Sequence, residues 1–223
     1  MSEERTRGLI LRTRPLTETS LIVQWLTPDL GRIATVAKGA RRPKSPFRGK
    51  IDLFYLAEFS FARSRRSELH TLREVSLLET HPALRQELSY LQQISYCATL
   101  VEQTTETETP LPNLFEQFTA LLQELPKHPA QAQTIFAFEM KLLDELGLKP
   151  NLAETNLSAG AKQILEKFGA LDWPGVFRLK LSAAQRTELR QFLHGFLIYH
   201  LEKIPIGRNH TINLGGVFSE RSS

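Results

Sequence analysis

Residues 20–38 read SLIVQWLTPDLGRIATVAK. Leu21, Val23 and Trp25 recur at every second position, the period of a strand with one buried face. The segment GRIATVAK that follows is short and β-branched, which suits a pleated, half-buried surface. Between them lies TPDLGR, where Pro28 presets φ for a turn and Gly31 permits φ > 0. The stretch therefore predicts strand, turn, strand. The same signature continues on both sides. Upstream, GLILRTR alternates Leu9 and Leu11 with Ile10, Arg12 and Arg14. Downstream, LFYLAEFSF sets Leu53, Tyr55, Phe59 and Phe61 on one side, and ELHTLREVSL supplies a fifth strand. Five short strands in about 75 residues are too few for a sandwich and fit a small closed barrel of the OB type.

The third and fourth strands are separated by AKGARRPKSPFRGK, residues 37–50. This stretch holds six Lys or Arg and neither Asp nor Glu. Pro43 and Pro46 keep it out of a helix and out of a central strand. Gly39 and Gly49 let the chain turn at both ends. The charge is thus expected on a loop carried by a rigid barrel, within reach of a ligand. Its weight shows in the charge distribution. Residues 1–80 carry 15 Lys and Arg against 9 Asp and Glu, whereas residues 81–223 carry 13 against 15. The excess of cations belongs to the N-terminal third, and an anionic polymer is the partner that such asymmetry suggests.

After ETHPALR the apolar spacing changes to three and four. Leu114, Phe115, Phe118, Leu121, Leu122 and Leu125 form one stripe, and Asn113 with Glu116 reads as its capping box. Ile135, Phe136, Phe138, Leu142, Leu143 and Leu146 form another, ended by Gly147 and Pro150. AGAKQILEKFG is a short helix. The last long helix runs from about Ser182 to Leu201, with Ser182 and Gln185 as a second capping box and Leu189, Phe192, Leu193, Phe196 and Leu197 as its apolar face. These stripes read as core. The expected class is α+β: a five-stranded OB-fold barrel over residues 1–80, then an α-helical domain over 81–223.

Hydrophobic residues make up 41% of the 223 and charged residues 23%, enough to bury a core. The one cysteine, Cys97, excludes an intrachain disulfide and a Cys-rich zinc site and suits a reducing compartment. No signal-peptide pattern and no apolar run of about 18 residues occurs, so a cytoplasmic protein is expected. The six histidines are scattered, without HExxH or HxH spacing, and no GxSxG is present. GARRPKS lacks the glycine before Lys44 that a phosphate loop needs, and it leads into Pro46 rather than a helix. No catalytic residues, metal ligands or cofactor are expected.

The order of these features resembles the RecO family of recombination-repair proteins. The residues that carry the likeness are Glu18-Thr19-Ser20, Leu26-Thr27-Pro28, Gly31-Arg32 and Ala37-Lys38-Gly39-Ala40-Arg41-Arg42 through Ser45. It continues through Gly49 and FYLAEFSF to ELHTLREVSLLE, with FAFEMKLLDELGLKPNL the clearest helical segment. The likeness is closest over residues 8–80, looser over 81–152 and slight beyond. It implies an N-terminal OB-fold and a helical C-terminal domain that bind single- and double-stranded DNA, anneal complementary strands and help recombinase load onto coated strands. The implied partners are RecR and the acidic C-terminal tail of single-stranded-DNA-binding protein, the implied place is the cytoplasm beside the nucleoid, and no hydrolysis is implied. Two departures stand out. Many members carry a four-Cys zinc site after the GLKP segment, where this chain has no Cys. Ile164, Leu165, Phe168 and Trp173 are expected to hold that region instead. Members often end the last core helix in a Lys-Ser-Arg step, of which IPIGRNH keeps only Arg208.

Phosphate neutralisation with release of counterions dominates affinity of this kind. Lys38, Arg41, Arg42, Lys44, Arg48 and Lys50 are the expected DNA contacts, with Arg12, Arg14 and Arg32 extending the track over the barrel face. Phe47 either stacks a base or packs down onto the barrel. No base-reading pattern is evident, so binding is expected to ignore sequence. In the helical half, Arg178, Lys180, Arg186, Arg190, Lys203 and Arg208 lie beside an apolar stripe and form a rim for an acidic, apolar-ended tail. A competing reading is an OB-fold RNA-binding factor acting on ribosomal or transfer RNA. A third is an assembly scaffold whose loop binds an acidic protein.

Overall fold

The structure is a computed structural model that describes residues 3–202 and 204–214. Five strands, β1 (Glu3–Pro15), β2 (Leu21–Thr27), β3 (Gly31–Ala37), β4 (Leu56–Ala62) and β5 (Leu69–Glu79), close a barrel in the order β1-β2-β3-β5-β4. All neighbours are antiparallel except β3 and β5, which pair in parallel from Ala34↔Leu69 to Val36↔Thr71. This is the order of the five-stranded OB-fold. The alternation at 20–38 sets the register: Val23, Trp25, Ile33 and Ala37 all point into one core with Ile10, Phe59, Phe61, Leu72 and Val75. Trp25 stacks on Phe59 with ring centroids 4.0 Å apart. Its indole N–H donates to Thr35 Oγ1 at 2.8 Å, so the buried polar edge is satisfied.

Two local expectations fail. Leu53 and Tyr55 do not belong to β4, which starts at Leu56. Phe54, at φ +64°, breaks the alternation, and its N–H donates to the Ile10 carbonyl at 2.8 Å. Asn113 does not cap α2. The N–H of Phe115 donates to the Leu111 carbonyl, so the helix opens on Pro112, whose missing N–H costs nothing at a first helical position. Glu116 instead accepts from Arg7 Nη2 at 2.8 Å.

The helices are α1 (Leu88–Thr104), α2 (Pro112–Glu124), α3 (Ala132–Glu145), α4 (Ala159–Ala170), α5 (Trp173–Arg178), α6 (Ala183–Leu201) and α7 (Arg208–Asn213). The chain forms two compact units. One holds residues 1–82 and 105–119, the other 83–104 and 120–223, so a single boundary near residue 81 does not describe residues 105–119. The reason is local. Thr107 bridges Arg32 on β3, and Glu108 N–H donates to the Arg32 carbonyl at 2.9 Å. The strip lies so close that a Cβ on Gly31 would fall 1.9 Å from the Thr109 carbonyl oxygen.

Within the helical unit α3 is the central element, buried from Ala132 through Met140, and α1, α4, α5, α6 and α7 pack on it. It ends where Gly147 turns at φ +70°. Ser182 and Gln185 form the reciprocal capping box of α6. Ile164, Leu165, Phe168 and Trp173 are all buried, and Phe168 meets Phe136 of α3 at 6.5 Å.

Candidate nucleic-acid interface

Residues 38–55 leave β3 at one end of the barrel and form a chain of tight turns. The N–H groups of Arg42, Ser45, Arg48 and Lys50 donate three residues back, to the carbonyls of Gly39, Arg42, Ser45 and Phe47, at 3.0–3.2 Å. Each turn satisfies its own backbone, so the loop needs no ladder. Gly39 at φ +70° and Gly49 at φ +73° make the left-handed steps at either end. The β1–β2 connection braces the start. Arg41 N–H donates to the Thr19 carbonyl at 3.0 Å, Gly39 N–H to Ser20 Oγ at 3.4 Å, and Arg41 Nη1 to the Thr17 carbonyl at 3.2 Å. Arg48 Nη1 closes on the Pro43 carbonyl at 3.2 Å.

Lys38, Arg41, Arg42, Lys44 and Arg48 are exposed and Lys50 is half-buried. None of the six is paired with a carboxylate among the described residues. Arg12 and Arg14 are exposed on β1, on the rungs Arg12–Gln24–Ala34 and Arg14–Ile22–Val36. Two strand spacings separate them from β3, about 10 Å. One end of the barrel thus gathers the loop and the close of β1 into a cationic surface. Glu18, exposed in the β1–β2 connection, is the acid nearest in sequence to the brace.

Other sequence candidates do not join it. Phe47 is only 7% exposed and belongs to the barrel core, a cluster against which Ala40, Ile51 and Tyr55 also pack. It is the plug that fixes the loop and offers no platform for a base. Arg32 is half-buried, with Nε donating to Thr105 Oγ1 at 2.7 Å and Nη2 to the Thr105 carbonyl. It clamps the 105–119 strip rather than extending the track. Arg208 is 3% exposed, with Nε and Nη2 on the two carboxylate oxygens of Glu139 at 2.6 and 2.7 Å. It is a structural charge, not a rim cation. Arg178 and Arg186 remain exposed and Arg190 half-buried, while Lys203 lies outside the described residues.

Thr19 and Ser20 enter the sequence reading only through the family likeness; their role with Thr17 as the brace does not, although TETS is a turn-forming cluster. Also unread was RSRR, residues 63–66. Arg63 there is spent: it donates to both oxygens of Glu4 at 2.7 and 2.9 Å and to Glu108 at 2.9 Å. That hydrogen-bonding holds the Glu4 carboxyl below its ordinary range despite partial burial. Arg65 and Arg66 are exposed on the β4–β5 turn. Because β5 runs parallel to β3, this turn sits at the barrel end opposite the basic loop.

Barrel order, cationic loop and following helices define an OB-fold protein with an appended helical unit. The family model for the N-terminal part of recombination protein O matches residues 1–81, and that for its C-terminal part matches residues 85–156. The chain belongs to the RecO family. The DNA repair protein RecO of Idiomarina loihiensis is 37% identical over 143 residues, 63% of this chain and 59% of that protein. That of Bacillus subtilis is 32% identical over 148 residues, 66% and 57%. That of Dehalococcoides mccartyi is 26% identical over 234 aligned positions, covering 90% and 92%. The chain spans 53% to 60% of the length of the first relatives it matches.

Proposed function

We propose that the chain is a non-enzymatic mediator of DNA recombination and repair, which binds single- and double-stranded DNA without regard to sequence and anneals complementary strands. The carrying observation is the turn-braced loop at 38–50, whose six cations have no carboxylate partner among the described residues. Such charges attract phosphates and release their counterions. They screen the repulsion between two strands, and base pairing then supplies the specificity. The names of the relatives favour DNA over RNA as the polymer. Helping recombinase onto coated strands, with RecR and the tail of single-stranded-DNA-binding protein as partners in the cytoplasm, completes the reading. A cleft of about 460 Å³ in the helical unit supports an apolar-ended tail as ligand: Pro129, Ala130, Ala132 and Ile212 line it, with one cation, Arg186, and one carboxylate, Glu87. No helix among the described residues is long and apolar enough to cross a membrane.

The test measures single-strand affinity against salt and the pairing rate of complementary oligonucleotides without ATP. Six phosphate contacts give a slope of log K against log salt of roughly −4, and Arg41→Ala with Arg42→Ala and Lys44→Ala reduces it to roughly −2. The same variant slows pairing. Unchanged affinity at low salt removes the loop from the mechanism, and preference for RNA competitors overturns the choice of DNA.

A further inference from the structure

We propose that the cleft between α6 and α7 in the helical unit binds one nucleotide of a single nucleic-acid strand, a second contact separate from the barrel loop. The cleft is about 400 Å³ and is lined by Arg190, Gln191, His194, Asn209 and Asn213. Arg190 and His194 lie four apart on α6, and Asn209 and Asn213 four apart on α7, so each helix turns one face to the cleft. No carboxylate lines it. None of the five side chains has a hydrogen-bond or ion-pair partner among the described residues.

The floor is built. Arg208 Nη1 donates to the Arg190 carbonyl at 3.3 Å, tying α7 to α6. The charge of Arg208 is itself neutralised by buried Glu139, which leaves Arg190 as the formal positive charge lining the cleft. The guanidinium matches a phosphate, and the imidazole N–H adds a donor. The three amides decide between ligand classes. Each pairs a donor with an acceptor, as the edge of a nucleobase does. Peptide carboxylates offer only acceptors, so an acidic peptide would have to meet the amide oxygens with backbone N–H groups alone.

The inference rests on the nucleic-acid reading above, and its test is independent of the loop. Full-length chain carrying Arg41→Ala, Arg42→Ala and Lys44→Ala is titrated with deoxyadenosine monophosphate while the His194 imidazole is followed by NMR. The His194 signals shift at millimolar nucleotide. Arg190→Ala weakens binding about fivefold or more, and the exposed Asn213→Ala, which leaves Arg208 in place, about twofold. Inorganic phosphate alone binds about tenfold more weakly. A His194 signal that stays still, phosphate binding as tightly as the nucleotide, or an oligo-aspartate peptide binding more tightly overturns the site. Failure of the loop reading shows instead as unchanged oligonucleotide affinity in the triple variant.

Discussion

Truncating Phe47 to alanine removes a ring that is 7% exposed and plugs the barrel beneath the loop. Large-to-small changes of this kind cost about 3–5 kcal/mol, so Phe47→Ala should lower the denaturant midpoint of the barrel clearly. Phe47→Leu should keep most of the stability and, on the proposed reading, nearly all of the DNA affinity, because the ring is buried in the barrel core. Loss of affinity in Phe47→Leu at full stability would return the ring to the binding face. The sequence could not decide between stacking and packing. A residue flanked by Pro46 and Arg48 in a loop has no periodicity to reveal its direction. Arg208 was misread for a related reason. A cation near an apolar stripe looks like a rim, and only the fold brings Glu139, 69 positions away, beneath it.

The strands were legible because core residues recur at every second position on β2 (Val23, Trp25) and β4 (Ala57, Phe59, Phe61), although β1, β2 and β4 also bury consecutive residues, and the Ser182–Gln185 box because its two partners sit three positions apart. The α2 box was not, since Pro112 opens the helix one residue before Asn113. α7 shows what local pattern omits. It is six residues long and is tied to α3 by Arg208 on Glu139, with Tyr96 OH donating to the same carboxylate at 2.6 Å, while Ile212 is buried and Gln93 donates to the Thr211 carbonyl. Arg208→Ala strands a buried carboxylate and should cost about 3–5 kcal/mol. Arg208→Met together with Glu139→Met should be far milder, because it also removes the desolvated charge. Chemical denaturation of the three proteins tests this. Equal losses in the single and double variants would show that the pair is not what secures α7.

Among the described residues, four carboxyls sit below the ordinary value of 4.5. Glu4 is held by Arg63, Glu79 by the backbone N–H of His81, Glu124 by Lys127 and then His128, and Glu188 by the backbone N–H and then the hydroxyl of Ser158. A carboxyl lowered on folding favours the folded state at pH above its unfolded value, and this contribution is lost as pH falls through the lowered one. Stability should therefore be level above about pH 5 and decline below about 4.5. Arg63→Ala should flatten that decline. A decline unchanged in the variant would clear the Arg63–Glu4 pair of any part in it.

The polypeptide passes between its two units three times, at 82/83, 104/105 and 119/120. No single scission therefore yields both halves intact. A fragment ending at residue 82 would forfeit the strip that lies over Gly31 and would strand the Arg32 guanidinium without its Thr105 acceptors. Anyone wishing to isolate the barrel must splice residues 105–119 back onto it. For the same reason a domain swap with a relative has to exchange that insert along with the strands.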